Sequence, residues 1–288
     1  MTRLSALFAA LCLAPVLASA QPAAPLEGRL KKIQETRSIA VAYRQDAMPF
    51  SFEEGGRPAG YTIDLCRGVL DAIERQLGGS TPLQVKWVPV TAQTRFTAIA
   101  SGQADMECGA STVTLGRLKE VDFSSLIFVD GTGLMVRKAT PGNSLRDLAN
   151  KKIAVIAGTT NEPALADALK GLAMTATVVK VKSREEGLAQ LEAGTVDAFA
   201  SDRLLLAGLA AQSKDPQALA VLVDPISFEP YAIALPRGDW AMRQAVNSAL
   251  AQIYRSAGLL DIYQRWFSGL GRPGPVLEVM YGLGRLPE

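Results

Sequence analysis

Hydrophobic and polar positions alternate along this chain in two distinct rhythms. Ile39–Tyr43, Leu83–Val90 and Asp105–Cys108 are short apolar runs of strand length. Between them, Ile63–Leu77 places apolar residues at 65, 69, 70 and 73, the spacing of a helix. Arg95–Ser101 predicts a second helix, with Gly102 as its C-cap, and Leu30–Thr36 predicts a short one at the start. The order β-α-β-α-β argues for a doubly wound, mostly parallel sheet. Ligands of such sheets sit beyond the carboxyl ends of the strands. Arg44, Arg95 and the 109–117 segment fall at that edge.

Gly131–Lys138 reads as a further strand. The composition then shifts to Pro141-Gly142-Asn143-Ser144, a crossing into a second lobe. There the alternation restarts: strand Lys152–Ile156, a helix from the 157–163 turn to about Leu169, strand Thr177–Val181, helix Ser183–Glu192, strand Val196–Ala200. Ser183 and Glu186 form a capping-box pattern for the middle helix. Tyr231–Leu235, apolar between Pro230 and Pro236, reads as a return strand that works with Gly131–Lys138 as a two-strand hinge. Helices at Asp239–Arg255 and Asp261–Phe267 rejoin the first lobe, and Gly271–Glu288 is a Gly/Pro-rich tail. The expected division is residues 26–132 with 232–270 as lobe 1, 133–231 as lobe 2 and 271–288 as the tail. Arg44–Phe52 reads as a loop at the carboxyl end of the first strand, and Glu54–Pro58 as a turn.

Composition narrows the chemistry. Of 288 residues 48% are hydrophobic, enough for a sizeable core in one large domain or two ordinary ones. Thirty Lys and Arg face 28 Asp and Glu, a net charge of +2 with the basic residues scattered, which is no nucleic-acid footprint. The absence of histidine removes Ser-His-Asp and Cys-His catalysis and imidazole acid/base chemistry together. Three cysteines without a CxxC exclude the usual zinc ligand sets, so no metal or cofactor is expected. Arg3, the apolar run Leu4–Leu17 and Ala18-Ser19-Ala20 have the pattern of a signal peptide, residues 1–20, cleaved after Ala20. Export would leave Cys66 and Cys108 as the two thiols of an oxidising compartment. They are expected to form a disulfide, the alternative being two buried thiols.

The candidate binding chemistry centres on Glu107–Ser124, ECGASTVTLGRLKEVDFS. A strand enters a turn of small and hydroxyl residues, and Arg117 follows five residues after Thr112. Amides, a hydroxyl and a guanidinium together make a carboxylate receptor, since the guanidinium grips bidentately while the rest fill the remaining lone pairs. Together with Ala47–Phe52, Gly60–Leu65, Gly158–Thr160 and Asp202–Gly208, this stretch resembles the periplasmic solute-binding proteins of the polar amino-acid transporter family (family 3). The glutamate/aspartate-binding members are the nearest likeness.

The resemblance covers nearly the whole mature chain. It implies a two-lobed α/β fold that closes on its ligand, a membrane permease as partner, and a monomer acting in the periplasm. It implies Arg117 and Thr112 at the ligand α-carboxylate, Arg44 and Arg95 at a side-chain carboxylate, and Asp202 at the α-ammonium. Thr159 and Thr160, at a helix N-terminus, are expected to add anion-binding groups from lobe 2. Arg184 stands where the family has a histidine, and Ala92 and Ala110 where it has serines, so a more cationic, less hydroxyl-rich pocket is expected. Phe50, Phe52 and Tyr61 are candidates for the pocket wall or for the core. The ligand is expected to be a small carboxylate-bearing amino acid, acidic and glutamate/aspartate-like. An exported dehydratase acting on prephenate-like acids is the enzyme alternative on the same fold, with no evident acid/base pair to carry it.

Overall fold

A computed structural model describes residues 26–140, 142–222 and 224–287. The predicted signal peptide and its cleavage site lie outside the described residues. The chain begins with α1 (Gly28–Thr36) and β1 (Ser38–Arg44), then β2 (Asp46–Ala47), β3 (Ser51–Glu54) and β4 (Arg57–Ala59). α2 (Tyr61–Leu77), β5 (Gln84–Val90), α3 (Arg95–Ala100), β6 (Met106–Cys108) and β7 (Val121–Asp130) complete the first pass through lobe 1. Lobe 2 holds β8 (Thr132–Arg137), β9 (Lys152–Ile156), α4 (Asn161–Gly171), β10 (Thr177–Val181), α5 (Arg184–Glu192), β11 (Ala198–Asp202), α6 (Arg203–Ala211) and β12 (Leu219–Val221). β13 (Glu229–Pro236), α7 (Trp240–Arg255), α8 (Gly258–Phe267) and α9 (Pro275–Gly284) return to lobe 1.

Each lobe has a five-stranded sheet of the same design. Lobe 1 runs β5-β1-β6-β13-β7 and lobe 2 runs β10-β9-β11-β8-β12. In each, the first three strands are parallel and the last two, next to the lobe crossing, run antiparallel to their neighbours. The parallel strands carry apolar residues on both faces: Ile39, Val41 and Ala42 of β1, and Ile153 to Ile156 of β9, are all at 1% exposure or below. Helices cover both faces, as such strands require.

The two hinge segments hydrogen-bond to different partners, which the sequence did not specify. Tyr231–Leu235 lies in β13, which pairs antiparallel with β7 from Glu229↔Asp130 to Pro236↔Val121, with register shifts either side of Ala232. Gly131–Lys138 is not its partner. β8 instead pairs with β11 and β12 inside lobe 2. The two lobes are joined where β7 passes into β8 at Gly131 and where the chain re-enters β13. The crossings touch: a Cβ at Gly131 would stand 2.6 Å from the Ser227 carbonyl oxygen, so no larger residue fits there.

Three further segments take structure that their sequence did not announce. The predicted loop after β1 folds into a small antiparallel sheet, β2-β3-β4, with Asp46 opposite Phe52. The predicted tail contains α9, which starts at Pro275 and buries Leu277, Met280 and Tyr281 against lobe 1. Leu, Met and Tyr at i, i+3 and i+4 make one apolar stripe, hidden from a reading weighted on Gly and Pro. Residues after Asp202 form α6.

Cys66 of α2 and Cys108 at the end of β6 are joined, Sγ–Sγ 2.05 Å, across the layer between helix and sheet. Phe50, Phe52 and Tyr61 belong to the core. Phe50 packs among Tyr61, Phe128, Tyr231 and Phe267 with centroids 4.9–6.0 Å away. The Tyr61 hydroxyl donates to the Ile127 carbonyl at 2.9 Å and meets Tyr281 Oη at 2.7 Å.

Candidate ligand-binding site

Four arginines reach the boundary between the lobes from four segments. Arg44 ends β1, Arg95 opens α3, Arg117 follows the turn after β6, and Arg184 opens α5 in lobe 2. Arg44, Arg95 and Arg184 are buried, at 3–4% exposure, and Arg117 is half-buried. The lobes are in contact around them. The Gln93 amide of lobe 1 donates to the carbonyls of Ala157 and Lys182 at 3.2 and 3.4 Å, and Thr112 and Thr160 hydroxyls stand 3.5 Å apart.

The arginines are held in two ways. Arg44 Nη2 donates to both oxygens of Asp46, at 2.6 and 2.9 Å, and Arg184 Nη1 donates to Asp46 Oδ2 at 2.9 Å. Arg95 and Arg117 are positioned by neutral acceptors instead. Arg95 Nε donates to Ser111 Oγ at 2.9 Å and Nη1 to the Ala92 carbonyl. Arg117 Nη1 donates to the Thr112 carbonyl at 2.7 Å. Both guanidiniums flank the Phe96 ring, 4.4 and 5.0 Å from its centroid. Among the described residues no carboxylate lies within ion-pair distance of either. Burial, with Arg44 and Arg117 nearby, pushes the Arg95 pKa down to about 9, the mark of a cation lacking its anion.

The opposite wall is anionic. Glu229, at the start of β13, is 2% exposed and accepts four hydroxyls: Thr112 and Thr160 on Oε2, both at 2.6 Å, and Thr132 and Ser227 on Oε1, at 3.0 and 2.8 Å. Asp202, at the end of β11, accepts Asn161 Nδ2 at 2.5 Å and Tyr231 Oη at 2.6 Å. Burial, reinforced by the neighbouring Glu229, pushes the Asp202 pKa up. Neither carboxylate has a cation within ion-pair distance among the described residues. Glu107 lies near the arginines, fully buried, and among the described residues neither of its oxygens has a hydrogen-bond partner. Its desolvation pushes the pKa up, against the pull of Arg95, Ser111, Arg44 and Arg117. Gly109 leaves room for this carboxylate: a Cβ there would collide with Glu107 Oε1 and force the side chain to move.

Residues 39–269 match the sequence family described as bacterial extracellular solute-binding proteins, family 3. The chain belongs to this family. The L-glutamate/L-aspartate-binding protein of Pseudomonas aeruginosa is 36% identical to it over 266 residues, 92% of this chain and 86% of that protein. The glutamate/aspartate import solute-binding protein of Escherichia coli is 33% identical over 263 residues, 90% of this chain and 86% of that one. Among solved structures, an ancestral arginine-binding protein bound to glutamine superposes with a TM-score of 0.70 at 27% identity, covering 80% of this chain and 97% of that one. An ancestral amino acid-binding protein, a precursor of cyclohexadienyl dehydratase, does so at 0.70 and 28%, covering 83% and 100%.

In this family 3 protein the structure gathers Arg44, Arg95, Thr112, Arg117, Thr160, Arg184 and Asp202 at one interlobe crevice. Two predicted residues are placed differently. The Thr159 hydroxyl turns back to the Ile156 carbonyl at 2.8 Å. The N-terminus of α4, expected to await an anion, has its own: Glu162 Oε2 accepts Gly158 N–H at 3.1 Å. Ala110 is buried against the lobe 1 core and offers no side-chain donor. Sequence reasoning missed Asp46, Phe96, Asn161, Glu229 and Tyr231. For Phe96 and Asn161 the signal was position, beside Arg95 and opening α4. Nothing local to Asp46 or Glu229 marked them.

Proposed function

We propose that this protein is the extracytoplasmic receptor of an amino-acid ABC importer, binding a small acidic amino acid of the glutamate/aspartate type between its lobes. One observation carries the reading. Among the described residues, two arginines without an ion-paired anion, Arg95 and Arg117, stand near two carboxylates without an ion-paired cation, Asp202 of lobe 2 and Glu229 where the chain re-enters lobe 1. An amino acid supplies both missing charges in one molecule. Buried charge is costly unless paired, so each ligand group needs its own partner.

The Nε–Nη2 edge of Arg117, without a protein acceptor among the described residues, takes the α-carboxylate, and Asp202 with Glu229 takes the α-ammonium. Arg95, with Arg44, takes the side-chain carboxylate. Lobe closure brings Thr160, Asp202 and Arg184 onto lobe 1 as a hinge motion. Export by the predicted signal peptide fits a Cys66–Cys108 disulfide. A monomer delivering its ligand to a membrane permease completes the reading. Asp202 and Glu229 hold neutral donors rather than a proton-transfer partner, which supports binding without turnover.

Thermal shift with glutamate, aspartate, glutamine and citrate tests it. Stabilisation by amino acids, strongest for the acidic ones, is expected; a protein unmoved by all four overturns the reading. Incubation with prephenate is expected to yield no aromatic product.

A further inference from the structure

Asp46 stands beside Arg44, one of the two arginines assigned above to a ligand's side-chain carboxylate. It comes from β2, two residues beyond Arg44, and bridges Arg44 of lobe 1 to Arg184 of lobe 2. Both arginines are almost wholly buried, at 3% and 4% exposure. Burial raises the Asp46 pKa, but Arg184 and Arg44 together outweigh this and hold the carboxyl below its ordinary range, so it is ionised at neutral pH. Asp46 therefore occupies one Nη group of each guanidinium, Arg44 Nη2 and Arg184 Nη1. What they have left includes Arg44 Nε and Arg184 Nε, each sealed from solvent and without an acceptor among the described residues.

We propose that Asp46 is a specificity-determining residue: a built-in anion that makes the distal end of the crevice accept a side-chain amide as well as a carboxylate. The proposal rests on the amino-acid receptor reading above. A distal carboxylate arriving beside Asp46 gains N–H donors from the arginines but meets a like charge close by, which disfavours it. A primary amide meets no such repulsion. Its carbonyl oxygen accepts from a guanidinium N–H, and its NH₂ donates to the Asp46 carboxylate, so every polar atom is paired. Without Asp46 the same amide would lose its acceptor, and two guanidiniums would be free for a carboxylate. The residue thus lowers affinity for acids and raises it for amides.

Isothermal titration of the mature protein with glutamate and glutamine tests this. The wild type is expected to bind the two within about tenfold of one another. A hundredfold preference for glutamate overturns the proposal without touching the receptor reading. Asp46→Ser is expected to tighten glutamate and weaken glutamine, moving the affinity ratio toward glutamate by about tenfold or more. Asp46→Asn, of the same size and without the charge, is expected to move the ratio the same way and carries the test if the serine variant folds poorly. A ratio that stays put, or moves toward glutamine, assigns Asp46 a structural role only. A wild type that binds neither ligand, nor any other amino acid, removes the receptor reading and this proposal with it.

Discussion

Replacing Arg117 by methionine gives the sharpest test of the crevice. The structure ties Nη1 to the Thr112 carbonyl at 2.7 Å, which orients the guanidinium and leaves its Nε and Nη2 without a protein partner among the described residues. Those two N–H groups lie side by side and match a carboxylate bidentately. Two charge-assisted hydrogen bonds of about 1.5–3 kcal/mol each give a loss of about 3–6 kcal/mol. That corresponds to about 10²–10⁴ in Kd. Methionine keeps an unbranched stem against Phe96, so the packing that holds the ring changes little. Arg117→Lys keeps the charge but not the planar fork, and should fall between the two. Because every amino acid has an α-carboxylate, glutamate and glutamine should lose affinity by the same factor. Titration calorimetry on each variant with both ligands gives the numbers. A loss below tenfold for Arg117→Met, or a lysine variant equal to wild type, would refute the bidentate assignment.

Arg95→Met should behave differently, costing glutamate at least about tenfold more than glutamine; equal losses would mean that Arg95 does not meet the side-chain carboxylate. Breaking the disulfide by Cys66→Ser opens a bridge between residues 42 apart, worth about 4 kcal/mol in the chain-entropy account. Calorimetry should show a Tm lower by about 10 °C, and a shift near zero would show that the bridge contributes nothing. Asp130, at the end of β7 beside Asp202, has its pKa raised from 3.8 to about 7 by burial and by the Asp202 charge, against hydrogen bonds from the Leu204 and Gly131 amides. Between about pH 4 and 7 the folded protein holds a proton that the unfolded chain releases, so this group makes stability fall as pH rises through that window and level off above it. The effect is on the order of 1–4 kcal/mol. Denaturant melts from pH 4.5 to 8 on wild type and Asp130→Asn should show that part of the slope vanish in the variant; an unchanged slope would exclude Asp130 as its source.

Elements whose signal is local were legible. Lys152–Ile156 and Thr177–Val181 are strands with the bounds their apolar runs suggest, and Ser183 caps α5 by accepting the Glu186 amide, as its spacing implied. Elements whose signal is a distant partner were not. The ladder that β13 makes with β7 was not legible, because it joins Asp130 to Glu229 across the whole of lobe 2. β2 and β3 are too short to show a period, and α9 hides a three-residue stripe among glycines and prolines.

The amino-acid sequence alone determined that this chain is an α/β protein without imidazole chemistry, and where its cationic groups stand relative to strand ends, because periodicity and residue type are written position by position. Only the tertiary structure decided which charges are already matched. Asp46 neutralises an arginine 138 residues away, and Glu229 collects hydroxyls from Thr112 and Thr160 in different lobes. Ion pairing falls steeply with distance and depends on burial, so it exists only once folding has set both.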